Sequence, residues 1–268
     1  MFSDLHCSID RRRFGRTAFM GAASAFLAAD SPAGQGVGPR EIVDARKLGA
    51  AGDGKTDDTA ALQRAIDTAG QKTGAVLVPP GVYMTRELHV TNGVTLTGVA
   101  AWNYSFGGGS VLRLLGTDSS CLLDLTEARG ASIQGLSLDG GGLGINIHGI
   151  ATKRTGYGKH EDGFRIDTCQ MARFSGSGMN LNKVWAFSVR HCELLANHGD
   201  GMTLHGWDGF LLDNWFSGSG RAGFAAREEN ASVTFTANRV EWNREENFVI
   251  AGGDGYQITG NFFDRAGT

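Results

Sequence analysis

Apolar residues in the second half of the chain recur at two nested intervals. Over a few residues they alternate with polar ones. In Met202-Thr203-Leu204-His205 the two apolar side chains point one way and the two polar ones the other. Over longer stretches whole segments repeat. One column reads Ile166, Val189, Leu211, Phe235, Ile258, at spacings of 23, 22, 24 and 23. Three residues on stand Cys169, Cys192, Asn214, Asn238, Asn261, and two further Met171, Leu194, Phe216, Val240, Phe263. Gly178, Gly201, Gly223 and Asn247 also align, followed by Met179, Met202, Phe224 and Phe248.

Short alternating strands cannot bury their apolar face within one such repeat, but stacked repeats can. The period therefore predicts an all-β solenoid whose coils lie directly above one another. A leucine-rich horseshoe has a similar period, but its Leu-x-x-Leu-x-Leu signature and helix per repeat are absent. The Asn column is expected to occupy a tight left-handed turn and to hydrogen-bond along the stack. The first half reads as looser coils at 93–98 and 131–139, with Ile133, Leu136 and Leu138 facing inward and Trp102 to Gly109 as a Gly-rich excursion.

The N-terminus differs from the rest. Arg11, Arg12, Phe14 and Arg16 precede a thin apolar stretch from Thr17 to Ala29, the pattern of a twin-arginine export signal. Residues 1–33 are assigned to that signal and 34–268 to one domain, with cleavage among Ala29, Ser31 and Ala33. The apolar stretch is too short to span a bilayer, so no stable membrane anchor is expected. The expected location is the periplasm or the exterior.

Composition narrows the partners. The 268 residues include 41 Gly and 4 Pro and carry a formal net charge of -3. A mildly acidic chain gives no electrostatic reason to bind nucleic acid. Of the four Cys, Cys7 lies in the leader, Cys121 stands apart, and Cys169 and Cys192 sit one repeat apart; a core stack of free thiols is expected. No Cys and His cluster has zinc-ligand spacing.

From Asp44 to Tyr83 the chain resembles a known family. The run Leu48-Gly-Ala-Ala-Gly-Asp-Gly-Lys-Thr-Asp-Asp-Thr-Ala-Ala-Leu62, then Ala65-Ile66 and Val76-Leu77-Val78-Pro79-Pro80-Gly81-Val82-Tyr83, is similar to the N-terminal signature of the rhamnogalacturonase/epimerase-type pectate-lyase-like domain. That signature also opens polygalacturonase-like hydrolases and some phage tailspikes. The resemblance covers about residues 42 to 268 and implies a right-handed parallel β-helix with an N-terminal capping α-helix, acting on a polysaccharide. Thr56 is expected to cap that helix, with Asp57 and Asp58 at its positive end and Leu62, Ala65, Ile66 and Ala69 as its apolar stripe before Gly70 ends it. Residues 256–263 read as a strand close to the last residue. Missing C-terminal coils are expected beyond it, or an edge open to self-association.

The family's catalytic motifs fail to carry over. Polygalacturonases hold Asn-Thr-Asp, Asp-Asp, Gly-His-Gly and Arg-x-Lys on neighbouring coils; here the only Asp-Asp is in the cap and the other three are missing. Candidate chemistry therefore rests on the columns. Residues two coils apart in one column are roughly 9.6 Å apart. Asp200 and Glu246 would then flank Arg221 at a separation suited to inverting hydrolysis. His205 and Arg227, in the column Asn182, His205, Arg227, Ala251, would deprotonate and orient a uronate. His198, Asp208, Trp207 and Trp242 complete the candidate substrate contacts. Lys159 to Gly163 reads as a charged loop in preference to a Ca²⁺ site.

The expected function is an exported carbohydrate-active enzyme on an acidic polysaccharide, by hydrolysis or β-elimination, Ca²⁺ being a cofactor only of the second. A non-catalytic glycan-binding or tailspike-like module is the alternative.

Overall fold

The computed structural model describes residues 42–72, 74–104 and 108–267. The expected twin-arginine signal and the boundary after residue 33 lie outside the described residues. Each complete coil lays down three short strands in turn, on what are called here the back, side and front faces. The back face holds Ile42–Asp44, Ala75–Leu77, Thr95–Thr97, Ser132–Gln134, Arg165–Asp167, Thr234–Thr236 and Gln257–Thr259. The side face is a nine-stranded sheet running from Asp53–Asp57 to Phe262–Asp264. The front face holds Leu88–His89, Cys121–Asp124, His148–Ala151, Phe224–Ala226 and Phe248–Ile250. Two long strands, Met179–Arg190 and Met202–Leu212, run from front to back around a corner and join those faces into one 15-stranded sheet. Named strands pair in parallel throughout, as a solenoid requires.

The repeat columns are the ladder registers. Ile166 pairs with Val189, Val189 with Leu211, Leu211 with Phe235 and Phe235 with Ile258. Met171, Leu194, Phe216, Val240 and Phe263 stack likewise on the side sheet. Inward columns form one continuous core in which Phe216, Phe224 and Phe235 are fully buried. Each such ring contributes roughly 2–3 kcal/mol by leaving water. Cys121, Cys169 and Cys192 are buried free thiols. Ile258, Phe262 and Phe263 of the final rung are 46 %, 51 % and 44 % exposed.

The Asn column does one of its two expected jobs. Asn214 Nδ2 donates to Asn238 Oδ1 at 3.0 Å, and Asn238 Nδ2 to Asn261 Oδ1 at 3.2 Å. The left-handed turn position, however, falls one residue earlier, on Thr168, His191, Asp213, Ala237 and Gly260, all with φ between 51° and 66°. The turn puts the Asn side chain inside the corner, where it also caps the carbonyls of Val189 and Leu211. The Asn is thus selected for its amide and not for its backbone.

The capping helix runs Thr59–Gly70, two residues later than the Thr56 cap implies. Thr56 belongs to the strand Asp53–Asp57, because Asp53 collects its N–H and hydroxyl into a tight turn. The N-cap position is Asp58, without a side-chain cap bond, and Asp57 before it accepts from Thr59 N–H at 3.0 Å. Asp58 turns away to accept from Ala51 and Gly52 N–H and is 1 % exposed. The stripe Leu62, Ala65, Ile66 and Ala69 is buried as expected, against the strands of the first coils.

Candidate functional site

The front face carries the polar strip. Its inward column is Leu123, Ile150, Met179, Met202, Phe224. Alternation therefore turns His89, Asp124, Ala151, Asn180, Thr203 and Ala225 outward in one row. Rows on either side add His148, Ser177 and Asp200, and Asn182, His205 and Arg227. From His89 to Arg227 the strip crosses five coil steps, about 24 Å at a 4.8 Å rise.

At its centre Asp200 is 1 % exposed and surrounded by donors. Arg227 contributes Nη1 at 2.8 Å and Nη2 at 3.3 Å, Thr203 its hydroxyl at 2.8 Å and Ala222 its backbone N–H at 3.0 Å. Thr203 Oγ1 also lies 3.1 Å from Ser177 Oγ. Ser177 N–H in turn donates to His148 Nδ1 at 2.9 Å. That bond leaves the proton of neutral His148 on Nε2, 3.1 Å from Asn180 Nδ2, and exchanging the oxygen and nitrogen of that amide turns the contact into an Nε2–H···O bond. Burial pushes the His148 pKa below the ordinary histidine value, so the ring stays neutral near pH 7.

His205 sits one row away. Glu228 Oε2 lies 2.8 Å from its Nδ1, off the N–H direction, and Glu229 Oε2 lies 3.5 Å from its Nε2. Glu229 also takes Lys183 Nζ at 3.2 Å, and Lys183 and His205 together hold its carboxyl below the usual range. Tyr157 closes over this group. Its ring stacks on Trp207 at 3.9 Å between centroids and meets His205 edge-on at 6.1 Å. Burial, then the charges of Glu229 and Glu228, pushes its phenol up to about 12, and its hydroxyl has no partner among the described residues.

The candidates read from sequence divide three ways. Asp200, His205 and Arg227 come together on the front face. Asp208 and Trp207 stand at the corner where the long strand turns, Asp208 at φ 53° and exposed. His198, Arg221, Glu246 and Trp242 lie along the turns between side and front faces. There Arg221 pairs with Glu245 at 3.6 Å and the Arg265 guanidinium sits 4.1 Å over the Trp242 ring. Asp200 thus pairs with Arg227, not Arg221, and no acid–Arg–acid sandwich with Glu246 forms. Asp162, from the charged loop, is buried against Arg154 and accepts from Trp185 N–H at 2.8 Å.

Sequence reasoning missed His148, Tyr157, Lys183, Glu228 and Glu229. His148 shares its row with Ser177, yet 29 residues separate them instead of 23, so the insertion 152–164 hid the alignment. That insertion also carries Tyr157, for which no repeat column exists.

The one group of described residues spaced to ligate a cation is Glu87, His89 and Asp124. Lys153 already lies there, bonded to Glu87 and 2.9 Å from Asp124 Oδ2. A divalent ion does not fit while that ammonium is in place.

The fold is a right-handed parallel β-helix of the pectate-lyase-like kind. Residues 42–114 match the family model described as rhamnogalacturonase A/epimerase, pectate lyase-like. Among solved structures the chain is similar to the A-module of the mannuronan C-5 epimerase AlgE4 of Azotobacter vinelandii. There the TM-score is 0.60 at 20 % identity, over 84 % of this chain and 68 % of that one. For ORF18 of Geobacillus virus E2 the TM-score is 0.62 at 15 % identity, over 83 % and 52 %. For the DFA-IIIase of Arthrobacter chlorophenolicus A6 it is 0.60 at 12 %, over 84 % and 68 %. At these identities the likeness is one of fold. The non-secreted LysM effectors LysM15 and LysM19 of Penicillium expansum share 35 % and 36 % identity over 80 and 75 residues. The matched segments are 30 % and 28 % of this chain and 6 % of each effector.

Proposed function

We propose that the chain acts on a uronic-acid polysaccharide laid along the front face, by removing the proton α to the sugar carboxylate. The observation that carries this reading is His205 beside Arg227, the cation fixed in direction by the buried Asp200. The imidazole takes the C5 proton, and the electron pair moves onto the carboxylate, whose developing charge faces Arg227. Expulsion of the O4-linked chain gives an unsaturated end; return of a proton to the opposite face gives the C5 epimer. A similar fold serves the mannuronan C-5 epimerase, which supports a uronate substrate. Hydrolysis by Asp200 and Glu246 is less favoured, because Asp200 is committed as an acceptor to Arg227, Thr203 and Ala222. Arg11 and Arg12 of the leader support action outside the cytoplasm, where such polymers occur; a leader fusion to a folded reporter tests that.

The test is incubation with polygalacturonate, polymannuronate and polyguluronate in deuterated water. Ultraviolet absorbance reports elimination, C5 deuterium with inverted stereochemistry reports epimerisation, and new saturated reducing ends report hydrolysis. His205→Gln is expected to lower turnover about 100-fold or more with the fold intact. Full activity in that variant, or saturated ends alone, would overturn the reading. Binding without any product favours a non-catalytic module. Added Ca²⁺ and chelator decide whether the β-elimination cofactor applies.

A further inference from the structure

The side face carries a second cleft, away from the front strip. The excursion between Thr95–Thr97 and Ser110–Leu114 is pinched at its base by an antiparallel bridge between Ala100 and Gly109. Asn103 and Tyr104 then lie against the side sheet. Gln170 Nε2 donates to Asn103 O at 2.8 Å, the Tyr104 ring packs on Trp215 at 4.7 Å, and Tyr104 Oη lies 3.1 Å from Ser217 Oγ. Next to this strap opens a cleft of about 270 Å³ with an apolar floor that includes Leu195. Tyr104 forms one wall, Ser137 and Gln170 lie buried and paired, Ser137 Oγ donating to Gln170 Oε1 at 3.2 Å, and Arg113 and Arg173 stand at the far edge.

Asp139 accepts from Arg113 Nε at 2.8 Å, from Arg173 Nε at 3.0 Å and Nη2 at 2.5 Å, and from Gly141 N–H at 2.9 Å. Burial alone would push its carboxyl up, but the bonds from Arg173, Gly141 and Arg113 outweigh it and hold it below the usual range. One carboxylate therefore serves two guanidinium groups at this edge, while Glu193, the other carboxylate beside the cleft, accepts from Gln170 Nε2 at 3.2 Å. Among the described residues Arg113 commits only its Nε–H.

We infer that this cleft binds a single acidic sugar residue. Its carboxylate would meet the guanidinium groups of Arg113 and Arg173, and a ring face would lie on Tyr104 and Leu195. The volume is just under the usual range for drug-sized ligands, which suits one pyranose ring. The site would hold a polymer end or branch while the main chain occupies the front face. It does not depend on front-face chemistry.

The test is titration of the full chain with galacturonate, mannuronate and neutral galactose, followed by saturation-transfer NMR and calorimetry. A uronate should bind, galactose about fivefold or more weaker, and added salt should weaken only the uronate. Tyr104→Ala and Arg173→Ala remove exposed side chains and should each weaken uronate binding about fivefold or more, with unchanged circular dichroism, while His205→Gln leaves it intact. Equal binding of galactose, no binding by wild type, or unchanged affinity in both side-face variants would overturn the inference. Loss of binding in His205→Gln alone would assign the sugar to the front face instead.

Discussion

Arg227 holds both carboxylate oxygens of Asp200 across 27 residues of sequence, from one coil to the next. With the Asp200 side chain 2 % exposed, removing Arg227 strands a carboxylate in a place that water does not reach, whereas removing Asp200 leaves a guanidinium that is 32 % exposed. Arg227→Ala should cost about 3 kcal/mol in urea unfolding, and Asp200→Ala somewhat less because the guanidinium it leaves is partly solvated. The double variant should cost less than the sum, and simple additivity would show that the pair is not coupled.

The amide ladder makes a graded prediction. Asn238 accepts from Asn214 N–H at 2.9 Å inside the corner. Asn238→Ala orphans that donor and should cost about 2 kcal/mol by chemical denaturation. Asn261, on the last described rung, is only half-buried, so water replaces its amide and Asn261→Ala should cost under about 1 kcal/mol. Equal losses would mean that the ladder amides are not paired as described.

His148 links stability to pH. Its folded-state pKa lies below the unfolded value of about 6.5, so the unfolded chain takes up the proton first as pH falls. Its contribution is therefore present above about 6.5 and is lost as pH falls through the folded value, when protonation of Nδ1 breaks the bond from Ser177. Melting temperature should fall on acidification below 6.5, and His148→Gln should flatten that part of the profile. An unchanged slope in the variant would exclude His148 as the titrating group.

Tyr157 covers the ring face of Trp207 on which a sugar could stack, and Gly156 and Gly158 flank it with open space beside Gly156. Tyr157→Ala should red-shift the tryptophan emission and lower KM for a front-face substrate several-fold, since the ring no longer competes with the sugar. A raised KM would identify Tyr157 as a substrate contact instead.

How far the chain could be read from its letters differs between fold and site. Met171 above Leu194 above Phe216 was legible, because a side chain facing inward must be apolar in every coil and the spacing is close to constant there. The pairing of Asp200 with Arg227 was not, although both stood in columns flanking the Thr203 row. A column gives height and face, but which of two nearby cations a carboxylate takes depends on side-chain reach and burial.

Sequence by itself determined the coil, its register and the outward position of His205, since periodic burial is a property of spacing alone. Only the tertiary structure decided that Tyr157 comes from an insertion to cover Trp207, that Lys153 occupies the cluster of Glu87, His89 and Asp124, and that a strap shapes a cleft on the side face. Insertions fold back by contacts that no period encodes, and charges choose partners by distance after the coils have stacked.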